Sequence, residues 1–146
     1  METQVDQAVH FFRQGFNCAQ AVAATYGPQY GLHRATAMAV ATGFGGGMRQ
    51  GSICGAVTGA FIILGLHAAK QTDDPAAAKE RAGELVEEFA AEFENRTGAL
   101  TCPELLGCDI TTPKGLEIAE TKGLFSSTCP EMVEHAAHVL EYIVGK

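Results

Sequence analysis

The stretch ICGAVTGAFIILGLHAA, residues 53–69, is the most apolar segment of the chain and decides its fold. It shows no period-two alternation, so it is not a half-buried strand. It falls short of the roughly 20 apolar residues that a membrane span needs. A threonine and three glycines also interrupt it. The reading that remains is a buried core helix, starting near Ile53 and ending around Ala69. Gly51, Gly55 and Gly59 recur every four residues and leave one face of this helix almost bare. Another backbone, or a cofactor, can approach such a face closely.

Helical periodicity extends outward in both directions. Upstream, Thr3 caps a helix whose Val5, Ala8, Val9 and Phe12 fall on one face. Gly15-Phe16 breaks it, a second helix runs from Cys18 to Gly27-Pro28, and a third covers about Arg34–Ala41. The glycine-rich turn Gly43-Phe44-Gly45-Gly46-Gly47 then leads to the central helix. Downstream, Asp74-Pro75 reads as N-cap and first turn of a helix reaching about Arg96. Its Leu85, Val86, Phe89 and Phe93 face inward, and its Glu84, Glu87, Glu88 and Glu92 face water. Short helices follow Cys102 and Thr112-Pro113. A last one begins at Thr128-Cys129-Pro130 and turns Val133, Ala136, Ala137, Leu140 and Val144 inward. The expected architecture is an all-α, single-domain bundle of six or seven helices over residues 1–146, with a glycine-rich central helix.

The 146 residues suffice for one core, and 47% hydrophobic content argues against disorder. Net charge is −7 with no basic run, which excludes nucleic-acid binding through a positive surface. The N-terminal METQVDQAVHFF lacks the basic, then apolar, pattern of a secretory signal, so the expected location is the reducing cytoplasm. There, clustered cysteines point to metal binding or redox chemistry more than to structural disulfides.

Four of the five cysteines stand where helices are expected to start. Cys18 follows Asn17, Cys54 follows Ser52 by two residues, and Cys102 and Cys129 share the tetrapeptide T-C-P-E. Asn, Ser and Thr cap free N–H groups, and Gln20, Glu104 and Glu131 would complete capping boxes. A helix N-terminus favours an anion, so a thiol there loses its proton more readily and becomes nucleophile or metal ligand. Cys54, with glycines around its turn, is expected to be the accessible nucleophile. Cys108 has no such setting and reads as incidental.

Other chemistries find no support. Gly46 to Gly51-Ser52 has the glycine spacing of a phosphate loop but lacks its lysine and its strand. Gly45, Gly46 and Gly47 instead offer backbone N–H groups near Cys54 that can line a cofactor edge. No C-x-x-C, C-x-x-C-H or H-E-x-x-H occurs, which removes a thioredoxin-like pair, covalent haem and a zinc hydrolase. His135 and His138 share a helix face, while His10, His33 and His67 are isolated; each reads as solvated or hydrogen-bonded.

Together, Gly43–Gly47, Cys54-Gly55-Ala56-Val57-Thr58-Gly59, Cys18 in G-F-N-C-A-Q-A-V, Cys102 before Leu105-Leu106-Gly107, and Cys129 before the final helix resemble the C_GCAxxG_C_C family. A similar segment occurs in the split-Soret type of cytochrome c. The resemblance spans nearly the whole chain and implies a redox-active protein with Cys18, Cys54, Cys102 and Cys129 as its hallmark residues. Three expectations follow. The four thiols cycle with disulfide against a redox partner protein or a small thiol or disulfide. Alternatively they ligate zinc or an iron–sulfur cluster, as a redox centre or a metal carrier. In a non-enzymatic alternative, the Gly55/Gly59 face packs against a partner helix in a homo-oligomer.

Overall fold

The computed structural model describes all residues, Met1–Lys146. Eight α-helices form the chain: α1 (Gln4–Arg13), α2 (Cys18–Tyr26), α3 (Arg34–Ala41), α4 (Gly55–Gln71), α5 (Pro75–Thr97), α6 (Cys102–Leu106), α7 (Pro113–Thr121) and α8 (Leu124–Val144). The expected six or seven is slightly low, although each of the eight, the short α6 and α7 included, overlaps a segment read as helical. Gly107, in the left-handed region at φ 76°, ends α6 after five residues. No helix is long and apolar enough to cross a membrane.

Local capping sets several boundaries. Asn17 accepts from the Gln20 N–H while Gln20 reaches back to the Asn17 N–H, a complete capping box that starts α2. Thr3 and Asp6 do the same for α1, and Asp74-Pro75 starts α5 as the sequence implies. The last helix departs from expectation. α8 begins at Leu124, after left-handed Gly123, so Thr128-Cys129-Pro130 lies inside the helix and no Thr128/Glu131 box forms. Proline there removes one backbone donor, but the helix continues through it.

Almost every residue of α2 is buried, and it packs against α1, α3, α4 and α8. Its small side chains explain this position. Ala19 and Ala23 meet Ala37 and Ala41 of α3 in a compact alanine layer. On its other side α2 meets the glycines of α4. A Cβ on Gly59 would lie 2.7 Å from the Ala19 carbonyl oxygen, and one on Gly55 would lie 3.2 Å from the Ala19 nitrogen. The bare face of α4 is therefore filled by α2 of the same chain, and Gly55 and Gly59 face that backbone rather than open space. Gly51 is not part of the stripe: it lies in the turn ahead of α4, with φ 65°. The main core lies between α4, α5 and α8, around Ile63, Leu64, Leu85, Phe89, Phe93, Val133 and Leu140.

Two features position the loop ahead of α4. Ile53 and Thr101 form a single antiparallel bridge, with Cys54 N–H donating to Leu100 O (2.8 Å) and Cys102 N–H to Ser52 O (3.0 Å). Upstream, Gly46–Arg49 make a left-handed turn in which Met48 (φ 58°) and Arg49 (φ 55°) join two glycines in a conformation that side chains disfavour. Thr58 Oγ1 donates to Phe44 O (2.9 Å) and ties this loop to α4.

Candidate functional site: a four-thiol cavity

Cys18 is the first residue of α2 and Cys102 the first of α6. Cys54 is the N-cap of α4, and Cys129 sits in the second turn of α8. All four line one partly enclosed cavity of about 160 Å³. The bridge brings two of them together. Side chains alternate across an extended segment, so those flanking the Ile53–Thr101 pair point to one side. Cys54 and Cys102 are therefore neighbours. The close packing of α2 on the glycines of α4 sets Cys18 beside Cys54, and α8 carries Cys129 to Cys18.

Thiol contacts link Cys129 to Cys18, Cys18 to Cys54 and Cys54 to Cys102; the single Cys18 proton serves Cys129 or Cys54, and the Cys102 proton serves Cys54. The protonation pattern follows. The thiols of Cys102 and then Cys18 hold the Cys54 pKa well below the usual thiol range, against the opposing effect of burial. The Ala56 and Val57 N–H groups add to this, although Cys54 makes no formal cap hydrogen bond. The Cys18 thiol lowers Cys129 likewise. Donation to Cys129 and Cys54, then burial, pushes Cys18 well up, and donation to Cys54 with burial does the same to Cys102.

Helix position alone does not account for this order. Cys18 and Cys102 hold true first-turn positions, yet theirs are the raised values. A helix dipole is worth about 0.3–1 kcal/mol, less than the roughly 1.4 kcal/mol of one pKa unit. Burial and a neighbouring charge move a pKa by several units and prevail. Cys54 is also not the accessible thiol: it is 4% exposed, against 7% for Cys102 and 8% for Cys18, while Cys129 is half-buried. The Thr101 hydroxyl caps no backbone N–H of α6; it donates to Glu104 Oε1 instead (2.8 Å).

Phe12, Leu105, Leu106, Ile110, Phe125 and Met132 supply most of the remaining wall, and no charged side chain reaches it. Sequence reasoning placed none of these at the site. Phe12 and Leu105-Leu106 carried only core or boundary signals, and Phe125 fell between the last two expected helices. Gly46 reaches the cavity. Gly47 is held against Ser52 (2.9 Å from a built Cβ), and Gly45 packs on the Asn17 side chain. Of the three loop glycines expected at a cofactor edge, Gly46 alone lines the cavity. Cys108 lies away from it, and neither His135 nor His138 contributes to the wall.

The donor arrangement does not suit a single metal ion. No three His, Cys, Asp or Glu side chains are grouped so as to hold an ion. A zinc site needs several sulfurs converging on one point at about 2.3 Å, whereas an iron–sulfur cluster takes its thiolates on separate irons and needs no such single point.

Fold and cavity define a class: an all-α protein with four free thiols sharing one apolar cavity. The chain belongs to the C_GCAxxG_C_C family, described as "Putative redox-active protein (C_GCAxxG_C_C)", which matches residues 16–143 and so includes all four of these cysteines. No curated protein and no solved structure matches the chain.

Proposed function

We propose that this protein is a small thiol–disulfide oxidoreductase in which Cys129 attacks and Cys18 resolves. The observation that carries the reading is the pairing of a lowered, half-buried thiol, the less buried of the two, with a buried proton-bearing neighbour in contact with it. The thiolate is the attacking species in exchange, and access limits its rate. Cys129 therefore replaces the deeply buried Cys54 as first nucleophile.

The oxidation of the protein dithiol balances without any further reagent, and a reducing thiol from outside returns Cys18 and Cys129 to the starting state. The Cys129 thiolate attacks one sulfur of a disulfide, forming a mixed disulfide and releasing the other half as a thiolate. Cys18 gives up its proton and attacks the Cys129 sulfur. The Cys18–Cys129 disulfide forms, and the second substrate half leaves as a thiolate. The substrate gains two electrons and the protein loses two; the Cys18 proton passes to one displaced thiolate, and the other thiolate takes from solvent the proton that Cys129 released on ionising. Cys54 and Cys102 repeat the same pairing deeper in the cavity and form a second dithiol.

Thiol titration with peptide mapping tests this. Mild oxidation of the reduced protein should remove thiols in pairs and yield a Cys18–Cys129 peptide. Cys18→Ser should arrest at a mixed disulfide on Cys129. Loss of single thiols, or no mixed disulfide in that variant, overturns the reading.

A further inference from the structure

The cavity wall carries a statement about the substrate. It is built from aromatic and aliphatic side chains and the four sulfurs, with Asn17 and Gly46 as its non-hydrophobic members. Asn17 is already engaged: it caps α2 and donates through Nδ2 to Thr42 O (3.0 Å). Nothing in the wall can compensate a negative charge, which any cysteine thiolate there would repel. An anionic group brought there would lose its hydration with no partner, which costs several kcal/mol or more. An apolar group gains about 25 cal/mol for each Å² removed from water. Size narrows the class further. An engineered apolar cavity of about 150 Å³ in another protein stays dry and binds benzene. At about 160 Å³, this one has room for a single ring or a short hydrocarbon arm.

We infer that the substrate is a small uncharged disulfide, one arm of which is a ring-sized apolar group seated among Phe12, Leu105, Leu106 and Phe125. This rests on the exchange reaction proposed above and names its substrate class. With the arm in the cavity, the disulfide lies against Cys129 at the half-buried end. The Cys129 thiolate displaces one half, and Cys18 then displaces the half bound to Cys129, with the same electron and proton balance. Peptidic or carboxylate-bearing disulfides meet a wall that offers no cation and react only from outside.

The test compares two aromatic disulfides with the fully reduced protein. Dithiodipyridine is neutral, and dithiobis-nitrobenzoate carries a carboxylate on each ring; both release a coloured thiol. Each rate is divided by that of a simple free thiol with the same reagent. The neutral reagent should be favoured by about 10-fold or more, the discrimination typical of an apolar pocket. Benzene should slow the neutral reagent and leave the charged one unaffected. Leu105→Trp, which fills the cavity, should remove both the preference and the benzene effect; Ile110→Phe serves if that variant does not fold. Equal normalised rates, or indifference to benzene in the wild-type protein, overturn the inference. The number of coloured thiols released separates it from the exchange reading. Two per Cys129 modified report resolution by Cys18. One alone refutes that cycle even where the neutral preference holds.

Discussion

Gly59→Ala tests the helix contact that aligns the site. The added Cβ would stand 2.7 Å from the Ala19 carbonyl oxygen and 2.9 Å from the Ala19 Cα. Both distances are well inside an ordinary contact of about 3.5 Å. The obstacle is backbone in the first turn of α2, so no rotamer change relieves it and the helices must part. Alanine in place of glycine within a helix is worth about 0.5–1 kcal/mol in its favour. Overpacking costs about 1–3 kcal/mol. The balance is a loss near 1 kcal/mol, or about 2–4 °C in Tm for a chain of this size. Gly65→Ala, on the same helix, provides the control, because nothing lies within 4 Å of its built Cβ. That variant should gain about 0.5–1 kcal/mol. Thermal and denaturant unfolding of the pair reads the difference directly. Equal stabilisation by both substitutions would refute close α2–α4 packing, and with it the alignment of Cys18 and Cys54.

Three further outcomes are expected. Cys54 has a folded pKa below its unfolded one, so the native state holds fewer protons between the two. Its contribution to stability is then complete above the usual thiol range and fades as pH falls through the folded value. Cys54→Ala should flatten that part of the pH–stability curve, and Cys102→Ala should move the thiolate absorbance of Cys54 to higher pH. Arg49→Gly should stabilise by about 1 kcal/mol in denaturant unfolding, because Arg49 is exposed and its φ of 55° costs about 1–2 kcal/mol with a side chain present. Tyr26→Phe should cost about 1–2 kcal/mol, since the buried Tyr26 hydroxyl donates to Glu141 Oε2. Burial first, then that bond, raises the Tyr26 pKa. Its contribution is therefore full below about pH 10, the unfolded tyrosine value, and is lost as pH rises beyond it. An alkaline unfolding limb unchanged in Tyr26→Phe would refute this.

How far the sequence spoke depended on the range of the force involved. Asn17/Gln20 and Asp74-Pro75 act within one turn, and the structure starts α2 and α5 where those residues say. The repeated T-C-P-E shows the limit. At Thr101 the chain leaves an extended bridge, and α6 starts at Cys102. At Thr128 the same four residues fall inside a helix already begun at Leu124, whose first turn carries Phe125 into the cavity wall. Tertiary contact overrides an identical local signal. The Ile53–Thr101 bridge is a single residue pair and leaves no periodicity to read, yet it makes Cys54 and Cys102 neighbours. The protonation order was illegible for a related reason. Helix position can be read from sequence, but burial and thiol contacts cannot, and they are the stronger effects.

The same comparison of magnitudes explains why one cavity holds two kinds of thiol. Four thiolates side by side in an apolar enclosure would each be opposed by burial and by like charge. Alternation along the line removes most of that cost: each lowered sulfur, Cys129 or Cys54, accepts from a neighbour that keeps its proton. Each pair thus holds a sulfur ready to attack beside one that ionises late, which is the order in which attack and resolution occur in an exchange cycle. Position separates the pairs. Cys129 is half-buried, whereas Cys54 is the most deeply buried of the four. Only the Cys129–Cys18 pair can meet an outside disulfide first. A disulfide formed there adjoins the lowered Cys54 sulfur through Cys18, so it can pass inward by attack of Cys54 on Cys18 with no added oxidant, returning Cys129 to its thiolate. In Cys54→Ser that transfer has no acceptor. Oxidation should then stop at a Cys18–Cys129 bridge with Cys102 still reduced, and a Cys102-containing intramolecular disulfide in that variant would show that the line of contacts is not the route.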